Sequence, residues 1–427
     1  MKKVGVAILG LGTVGGGTYE ILVKNHDHIM SAQHLDVTVE AVLEINKQRA
    51  LDLGVEESKI YSNMAEVVSN PGVDIVVEVI GGIEPAKTFI LTALKNGKTV
   101  VTANKELISK YWFEIEEVAK KHHAGFYFEA SCVGGVPIIR TLIDGMQANH
   151  IQSLTGIING TTNFILSKMS NEGLGYDEVL KEAQANGFAE ANPTADVEGF
   201  DASYKLSILS SLAFNRKVSL DKVYREGITG IDKVDIALGK ELGYTLKLLA
   251  IGKDTENGIE VRVHPAFIKN SHPLASVDGS FNAVLLKGDA VDDIMLYGRG
   301  AGALPTGSAI VSDIVYAAKQ TEHYYVPFEN TKVSGEEIAF VTDFETEYYL
   351  RLQVDDRAGV LAKISGVLGD HGVSLTEVMQ KGVSVNDTVT IIFITHRTHE
   401  ESVNAAVEVL KTTDYVKSVD AIIRVEE

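Results

Sequence analysis

The sequence predicts an α/β protein in three parts. They are a parallel, doubly wound sheet at the N-terminus, a mixed α/β unit in the middle, and a βαββαβ unit at the C-terminus. Three observations carry this reading. Short β-rich runs alternate with helical periodicity through the first third of the chain, as a parallel sheet requires. The alternation loosens near Ile151 into a mixture of strand-like and helical stretches. A compact strand, helix, strand, strand, helix, strand order then begins near 345, which is ferredoxin-like.

In the first part, strands are predicted at Val4 to Leu9, Val37 to Leu43, Ile75 to Val79, Thr99 to Thr102 and Gly125 to Ala130. Helices fall at Val14 to Met30 and Glu84 to Asn96, and Pro137 suits the first turn of a further helix. In the middle, strands are predicted at Ile151 to Ile158, Ile259 to His264 and Ala283 to Gly288, with helices at Tyr176 to Asn186 and Asp201 to Phe214. Gly298-Arg299-Gly300-Ala301-Gly302 opens a long helix, Thr306 to Lys319, and the polar stretch from Val326 to Thr342 has the composition of a linker. The last part places strands at Tyr349 to Val354, Leu375 to Gln380, Val389 to Thr395 and Val419 to Val425, and helices at Val360 to His371 and Glu400 to Lys411. The expected divisions are 1–135 with about 298–325, then 136–297, a linker at 326–344, and 345–427.

Composition narrows the function classes. The net charge of −19, with both signs mixed along the chain, argues against a nucleic-acid or anionic-membrane partner. The single cysteine, Cys132, rules out an internal disulfide framework and fits a reducing compartment, so a cytoplasmic location is expected. Met1-Lys2-Lys3 before Val4 to Leu11 resembles a secretory leader, yet the apolar run is short and passes into a glycine-rich loop rather than a cleavage site. No run of about 18 apolar residues is present to span a bilayer.

Gly10-Leu11-Gly12-Thr13-Val14-Gly15 is a G-x-G-x-x-G between a strand and a helix. Gly10 permits the tight turn, Gly12 lets a pyrophosphate approach the backbone, and Gly15 lets helix pack on strand. In that context a dinucleotide site is a better reading than an ordinary turn, and the first part is Rossmann-type. Glu44 ends the second strand, where an acid accepts hydrogen bonds from the adenosine ribose and repels a 2′-phosphate, though it lies farther from Gly15 than the usual spacing of about 20. Lys47 and Arg49 just beyond it offer a phosphate the opposite charge, and solvated side chains at a strand end are an equally good account of both.

Between Gly187 and Lys205 three acids, Glu190, Asp196 and Asp201, crowd beside one lysine, and Lys205 falls one helical turn after Asp201. An isolated pair of that spacing is best taken as an exposed ion pair worth about 0–1 kcal/mol. Three acids beside glycines and a proline instead suit recognition of an amino-acid substrate, with the lysine exchanging a proton. A free lysine, with a pKa of about 10.4, is a poor base near neutrality, so burial or nearby cations would have to lower it for that role.

Here the chain resembles the homoserine dehydrogenase family. The family signature, an alanine-and-glycine start, a proline and then D-x-x-G-x-D-x-x-x-K, is matched from Ala183 to Lys205. The resemblance extends through Ile80-Gly81-Gly82, Thr102-Ala103-Asn104-Lys105 and Asn159-Gly160-Thr161-Thr162-Asn163 to Gly302, covering roughly residues 1–325. It implies reversible NAD- or NADP-dependent interconversion of L-homoserine and L-aspartate 4-semialdehyde, in threonine, methionine and isoleucine biosynthesis, by a homo-oligomer (dimer or tetramer). It assigns the proton transfer to Lys205, homoserine contacts to Glu190, Asp196 and Asp201, and contact with both cofactor and substrate to Lys105. Gly187 and Gly302 join Gly10 to Gly15 and Glu44 at the cofactor. It also implies a sodium ion held by the backbone carbonyls of Glu129, Cys132, Gly134 and Val136, a segment that by its residues alone is a glycine-rich turn. Lys105 by itself is a solvated lysine in a strand-to-helix loop. The chain departs from the family pattern at Glu44, where arginine is common, at Phe188, where tyrosine is common, and at Asn192, which replaces a frequent aspartate.

Asp355-Asp356-Arg357-Ala358-Gly359-Val360-Leu361 resembles the D-R-P-G-V-L loop of ACT domains, with Ala358 in the proline position. That resemblance implies a small amino-acid effector, with threonine the first candidate. Two rivals are open on sequence: a non-catalytic sensor joining a dinucleotide module to an amino-acid-binding module, and another amino-acid dehydrogenase of similar build. The sensor would not require the Glu190, Asp196, Asp201 and Lys205 cluster.

Overall fold

A computed structural model describes residues 1–326, 338–385 and 387–427. Six strands, β1 (Lys2–Leu9), β2 (Leu35–Leu43), β3 (Ile60–Tyr61), β4 (Ile75–Glu78), β5 (Thr99–Thr102) and β6 (Phe126–Tyr127), form one sheet in the order β3-β2-β1-β4-β5-β6. Every neighbouring pair is parallel. Val4 to Leu9 are all buried, as expected of a strand covered on both faces, where an unbroken apolar run replaces alternation. Four helices matter below: α1 (Thr13–Lys24), α2 (Gly160–Glu172), α3 (Phe200–Ala213) and α4 (Ala303–Lys319). One face of the sheet packs against Leu22 of α1 and Ile310, Ile314 and Ala317 of α4, and the other against Ile90, Leu94, Leu107, Ile108 and Trp112. Strand order reverses between β1 and β4, which puts a crevice at their carboxyl ends, where such sheets bind ligands.

The second sheet is mixed. Its strands are β7 (Ile151–Ile157), β8 (Tyr244–Thr255), β9 (Gly258–Lys269), β10 (Phe281–Gly288), β11 (Asp292–Arg299), β12 (Glu345–Asp355), β13 (Leu375–Val385), β14 (Thr388–Thr395) and β15 (Val416–Glu426). They run in the order β11-β10-β7-β8-β9-β15-β12-β14-β13, with two-residue strands at Tyr224–Arg225 and Thr398–His399 off that path. The helix α3 lies against this sheet and is buried along nearly its whole length from Asp201 to Ala213.

The C-terminal unit has the expected βαββαβ order, with α5 (Val360–Asp370) and α6 (Glu400–Lys411) between its strands. It does not stand apart from the rest of the chain. β15 pairs in parallel with β9 through Ala266 with Arg424, Phe267 with Val425 and Ile268 with Glu426. The seam buries charge. Arg262 is fully buried and donates to both oxygens of Glu426, and Arg351 donates to both oxygens of Asp235 at 2.6 and 2.9 Å.

Several elements differ from expectation, each for a local reason. The single helix predicted over Val14 to Met30 is two, with a break at Asn25, whose ψ of 11° leaves the helical range. The strand predicted from Gly125 to Ala130 shortens to Phe126–Tyr127, because the Glu129 amide donates to Asp313 at 2.8 Å instead of to a neighbouring strand. After Pro137 only Ile138–Arg140 is α-helical, and the backbone then widens into a π-turn over Thr141–Gly145. Two long strands, β8 and β11, are additional to those predicted. The expected linker falls in large part on residues outside those described.

Candidate active site

The glycine-rich loop joins β1 to α1 at the reversal of strand order. Gly10 has φ of +91°, a conformation L side chains rarely adopt. A Cβ on Gly15 would lie 2.0 Å from the Gly10 carbonyl oxygen, whereas a Cβ on Gly12 would meet nothing within 4 Å. The three glycines therefore do different work: a turn, a helix packed onto the loop, and open backbone facing the crevice. Glu44 lies at the end of β2 as expected, and its carboxylate accepts the Leu11 amide at 2.7 Å and the Asn46 amide at 2.9 Å. Lys47 is turned to Glu57 at 2.6 Å. Arg49 is exposed and borders a hollow of about 460 Å³ shared with Gly12, Thr13 and Asn46.

A cleft of about 470 Å³ separates this loop from the mixed sheet. Thr13 and Val14 line one wall, and Asn159, Thr161, Asp196, Asp201 and Lys205 the other, with Lys105, Gly187, Arg299 and Gly302 also on its surface. Asp201 sits in the first turn of α3 and Lys205 one turn later, so their side chains meet on one helix face with Lys205 Nζ 2.6 Å from Asp201 Oδ2. The same Nζ donates to the Ile158 carbonyl at 2.8 Å. Lys105 comes from the β5 side of the cleft and places its Nζ 3.2 Å from Asp201 Oδ1. Asp201 thus lies between two ammonium groups.

The electrostatics follow from that arrangement. Burial opposes ionisation of Asp201, yet Lys205 and Lys105 outweigh it and hold the carboxyl well below the usual carboxylate range. Asp201 in turn raises the Lys105 pKa, against the opposing effect of burial, so Lys105 is a cation at neutral pH. Asp196 is displaced upward, first by burial and then by the like charge of Asp201. The Cys132 thiol is fully buried and pushed up to about 12, so it stays protonated.

The segment Glu129 to Val136 lies beside this cluster, and its Cys132 Sγ is 3.9 Å from the Lys205 carbonyl. The Glu129 carboxylate faces away from the cleft: it accepts the Ile139 and Arg140 amides at 2.9 and 2.6 Å, and burial followed by Asp313 pushes it up to about 8. Val133 is β-branched and holds φ of +56°, an uncommon and strained conformation that here bends the chain back on itself. The carbonyls of Glu129 and Val136 accept the amides of Cys132 and Ile138 at 3.4 and 2.8 Å. Among the described residues those of Cys132 and Gly134 accept no hydrogen bond, which leaves two oxygens for a hard cation. Among the described residues, no group of three or more His, Cys, Asp or Glu side chains is arranged to hold a metal.

Of the residues the sequence singles out, Lys105, Asp196, Asp201 and Lys205 come together, with Gly187 and Gly302 on the same cleft. Glu190 does not join them: it is exposed, and its backbone carbonyl accepts from Gln184 at 3.1 Å. Phe188, in the position where tyrosine is common, stacks on Phe164 with centroids 4.5 Å apart. Sequence reasoning assigned no role to Asn159, Thr161 or Arg299, all of which line the cleft. Asn159 carries a local signal, since an Asn-Gly before an apolar helix is an N-cap pattern, and its side chain does cap α2.

A cleft that pairs an open glycine loop with a buried lysine–carboxylate cluster serves a dinucleotide-dependent oxidoreductase. Comparison with known proteins narrows the class. The family model described as homoserine dehydrogenase, NAD binding domain, matches residues 10–129, that of homoserine dehydrogenase matches 137–315, and that of the ACT domain matches 348–414. Homoserine dehydrogenases of Neisseria gonorrhoeae and Bacillus subtilis are 41% and 40% identical, each aligned over 100% of this chain and 99% of the relative. The crystal structure of a homoserine dehydrogenase from Thiobacillus denitrificans superimposes with a TM-score of 0.92 at 42% identity, covering 100% of this chain and 99% of that one. A hyperthermophilic archaeal homoserine dehydrogenase in complex with NADPH gives 0.64 at 27% identity, over 75% of this chain and 99% of its own. The chain belongs to the homoserine dehydrogenase family, NAD(P)-dependent oxidoreductases that interconvert L-homoserine and L-aspartate 4-semialdehyde. It carries a C-terminal ACT domain, and no described helix is long and apolar enough to cross a membrane.

Proposed function

We propose that Lys205 is the group that gives a proton to the aldehyde oxygen of aspartate 4-semialdehyde and takes it back from the hydroxyl of homoserine. The observation that supports this is its buried Nζ, tied to Asp201 and the Ile158 carbonyl, in the cleft that also holds the glycine loop. Two of its three donors are engaged, which aims the third. Asp196 and Asp201 would hold the substrate ammonium, and Lys105 would steady negative charge on the reacting oxygen while lying next to the cofactor. When bound, the nicotinamide supplies or accepts the hydride. The protein's share is to align the two reactants and exclude water.

Finer assignments rest on the same geometry. Gly10, Leu11, Gly12, Thr13, Val14 and Gly15 would hold the pyrophosphate, with Gly187 and Gly302 bounding the nicotinamide half. Both NADP(H) and NAD(H) should serve, with Arg49 the group that meets a 2′-phosphate. The carbonyls of Glu129, Cys132, Gly134 and Val136 would hold a monovalent cation such as sodium, fixing the loop beneath the cluster. Glu190 would reach homoserine only after the loop carrying it moves inward. We assign residues 1–135 with about 298–325 to the cofactor, 136–297 to substrate and subunit association in a homo-oligomer, and 345–427 to an effector, threonine being the first to test. The direct test is absorbance at 340 nm with NADP⁺ and a panel of amino alcohols. L-Homoserine should be oxidised, and L-serine and L-threonine should give less than a tenth of that rate. Equal rates across the panel would refute a site built for homoserine.

A further inference from the structure

Asn159 lies at the end of β7, immediately before α2, and is 5% exposed. Its two amide atoms face opposite ways. Oδ1 accepts the Thr162 amide at 2.8 Å and the Thr162 hydroxyl at 3.0 Å, which is an ordinary N-cap. Nδ2 donates 2.7 Å to Asp196 Oδ1 and 2.9 Å to Asp201 Oδ2. The two carboxylates sit on different elements, Asp196 in the short helix Thr194–Val197 and Asp201 in the first turn of α3. Two like charges brought together at the wall of a cleft, one of them buried and the other half-buried, repel. One planar amide, pinned at its far end by a helix N-terminus, spans both.

We propose that Asn159 is a positioning residue for this reaction: through its Nδ2 it holds Asp196 and Asp201 at the separation the substrate ammonium needs. The inference rests on the proposed substrate role of those two acids. The groups facing Asp196 are Asp201, Lys205 and Thr161, with Lys105 reaching in from the opposite wall. Asp196 already titrates above the usual carboxylate range through burial and Asp201, and the Asn159 amide counteracts that displacement. Removing the donor therefore raises the Asp196 pKa further. The carboxylate must be ionised to bind an ammonium, so the acid limb of kcat/KM for homoserine moves to higher pH.

The capping half and the bridging half can be separated by substitution. Asn159→Ser keeps a side-chain oxygen that caps a helix about as well as asparagine and removes the donor between the acids. Asn159→Ala removes both. Expected for Asn159→Ser is a Tm close to wild type, an unchanged Kd for NADPH by fluorescence titration, a KM for homoserine raised about 10–100-fold, and the acid limb displaced upward. Asn159→Ala should match it in KM and pH profile while also losing Tm. If Asn159→Ser keeps KM within twofold and the wild-type pH profile while Asn159→Ala loses only Tm, Asn159 is a helix cap and the proposal is wrong. If Asn159→Ser weakens the Kd for NADPH as much as it raises the KM for homoserine, the damage is general and the proposal is equally wrong. Failure of the homoserine reading would look different, since wild type itself would then not turn homoserine over.

Discussion

Arg49 shows how much one side chain's surroundings add to its identity. By sequence, Glu44 argues against a 2′-phosphate while Lys47 and Arg49 argue for one, and nothing in the order of residues ranks them. Glu44 is engaged by two backbone amides of the loop it supports, and Lys47 by Glu57, which leaves Arg49 bordering the hollow beside Gly12. Arginine is also the side chain best shaped for a phosphate. Arg49→Ala should therefore raise the KM for NADPH about tenfold or more, leave that for NADH within twofold, and leave Tm unchanged, because the side chain is exposed. An unchanged NADPH to NADH ratio in kcat/KM would remove Arg49 from the 2′-phosphate. The same limit on sequence reasoning applies at Glu190. Nearness in sequence groups it with Asp196 and Asp201, but distance along a loop does not say which way a side chain turns, and Glu190 faces solvent.

Elements were most legible where one face or both faces are buried and the composition says so. Val4 to Leu9 of β1, Ile75 to Val77 of β4 and Val100-Val101 of β5 are buried apolar runs, and the periodicity of Asp201 to Phe214 places α3. β8 is not legible from sequence although Leu248 to Gly252 is apolar, since a short apolar run does not distinguish a buried strand from a buried helix. β11 was missed for the opposite reason: it begins Asp292-Asp293 and alternates exposed and half-buried residues at the sheet edge, which weakens the signal. Around Glu129 the cause is a tertiary contact. The amide that would continue β6 is bonded to Asp313 of α4, whose carboxyl burial pushes up to about 6 despite the Arg140 guanidinium beside it. No pattern within residues 125–130 encodes a partner 184 positions away.

At the scale of the whole molecule, the sequence divides the chain into separable units, and the fold joins two of them in one sheet. The β9–β15 pairing and the buried Arg262–Glu426 and Arg351–Asp235 contacts tie the ACT domain to the sheet under α3. Two consequences differ in size. A truncation ending near Thr342 takes Glu426 from Arg262, which keeps Glu260 at 2.7 Å, and Arg351 from Asp235, and opens both to water, which solvates them, so the shortened protein should retain turnover and lose any response to millimolar threonine. Arg351→Leu keeps the cover in place and leaves Asp235, 2% exposed, with the Tyr349 hydroxyl at 2.9 Å as its remaining side-chain donor among the described residues. Stranding one member of a buried pair costs about 3–5 kcal/mol. Denaturant unfolding of Arg351→Leu should therefore show a larger loss than that of a surface charge variant such as Lys411→Leu. Comparable losses in the two would mean that the seam contributes little to stability.

The proposed division of labour puts dinucleotide binding on the glycine loop and proton movement on Lys205, in one cleft. It is tested most directly by measuring two quantities on Lys205→Ala: kcat for homoserine oxidation at 340 nm, and Kd for NADPH by fluorescence titration. Loss of a positioned proton donor and acceptor should lower kcat by at least about 10²–10⁴-fold, with Kd within a few-fold of wild type. A variant that keeps kcat within a few-fold of wild type would contradict the account and move the proton transfer to Lys105.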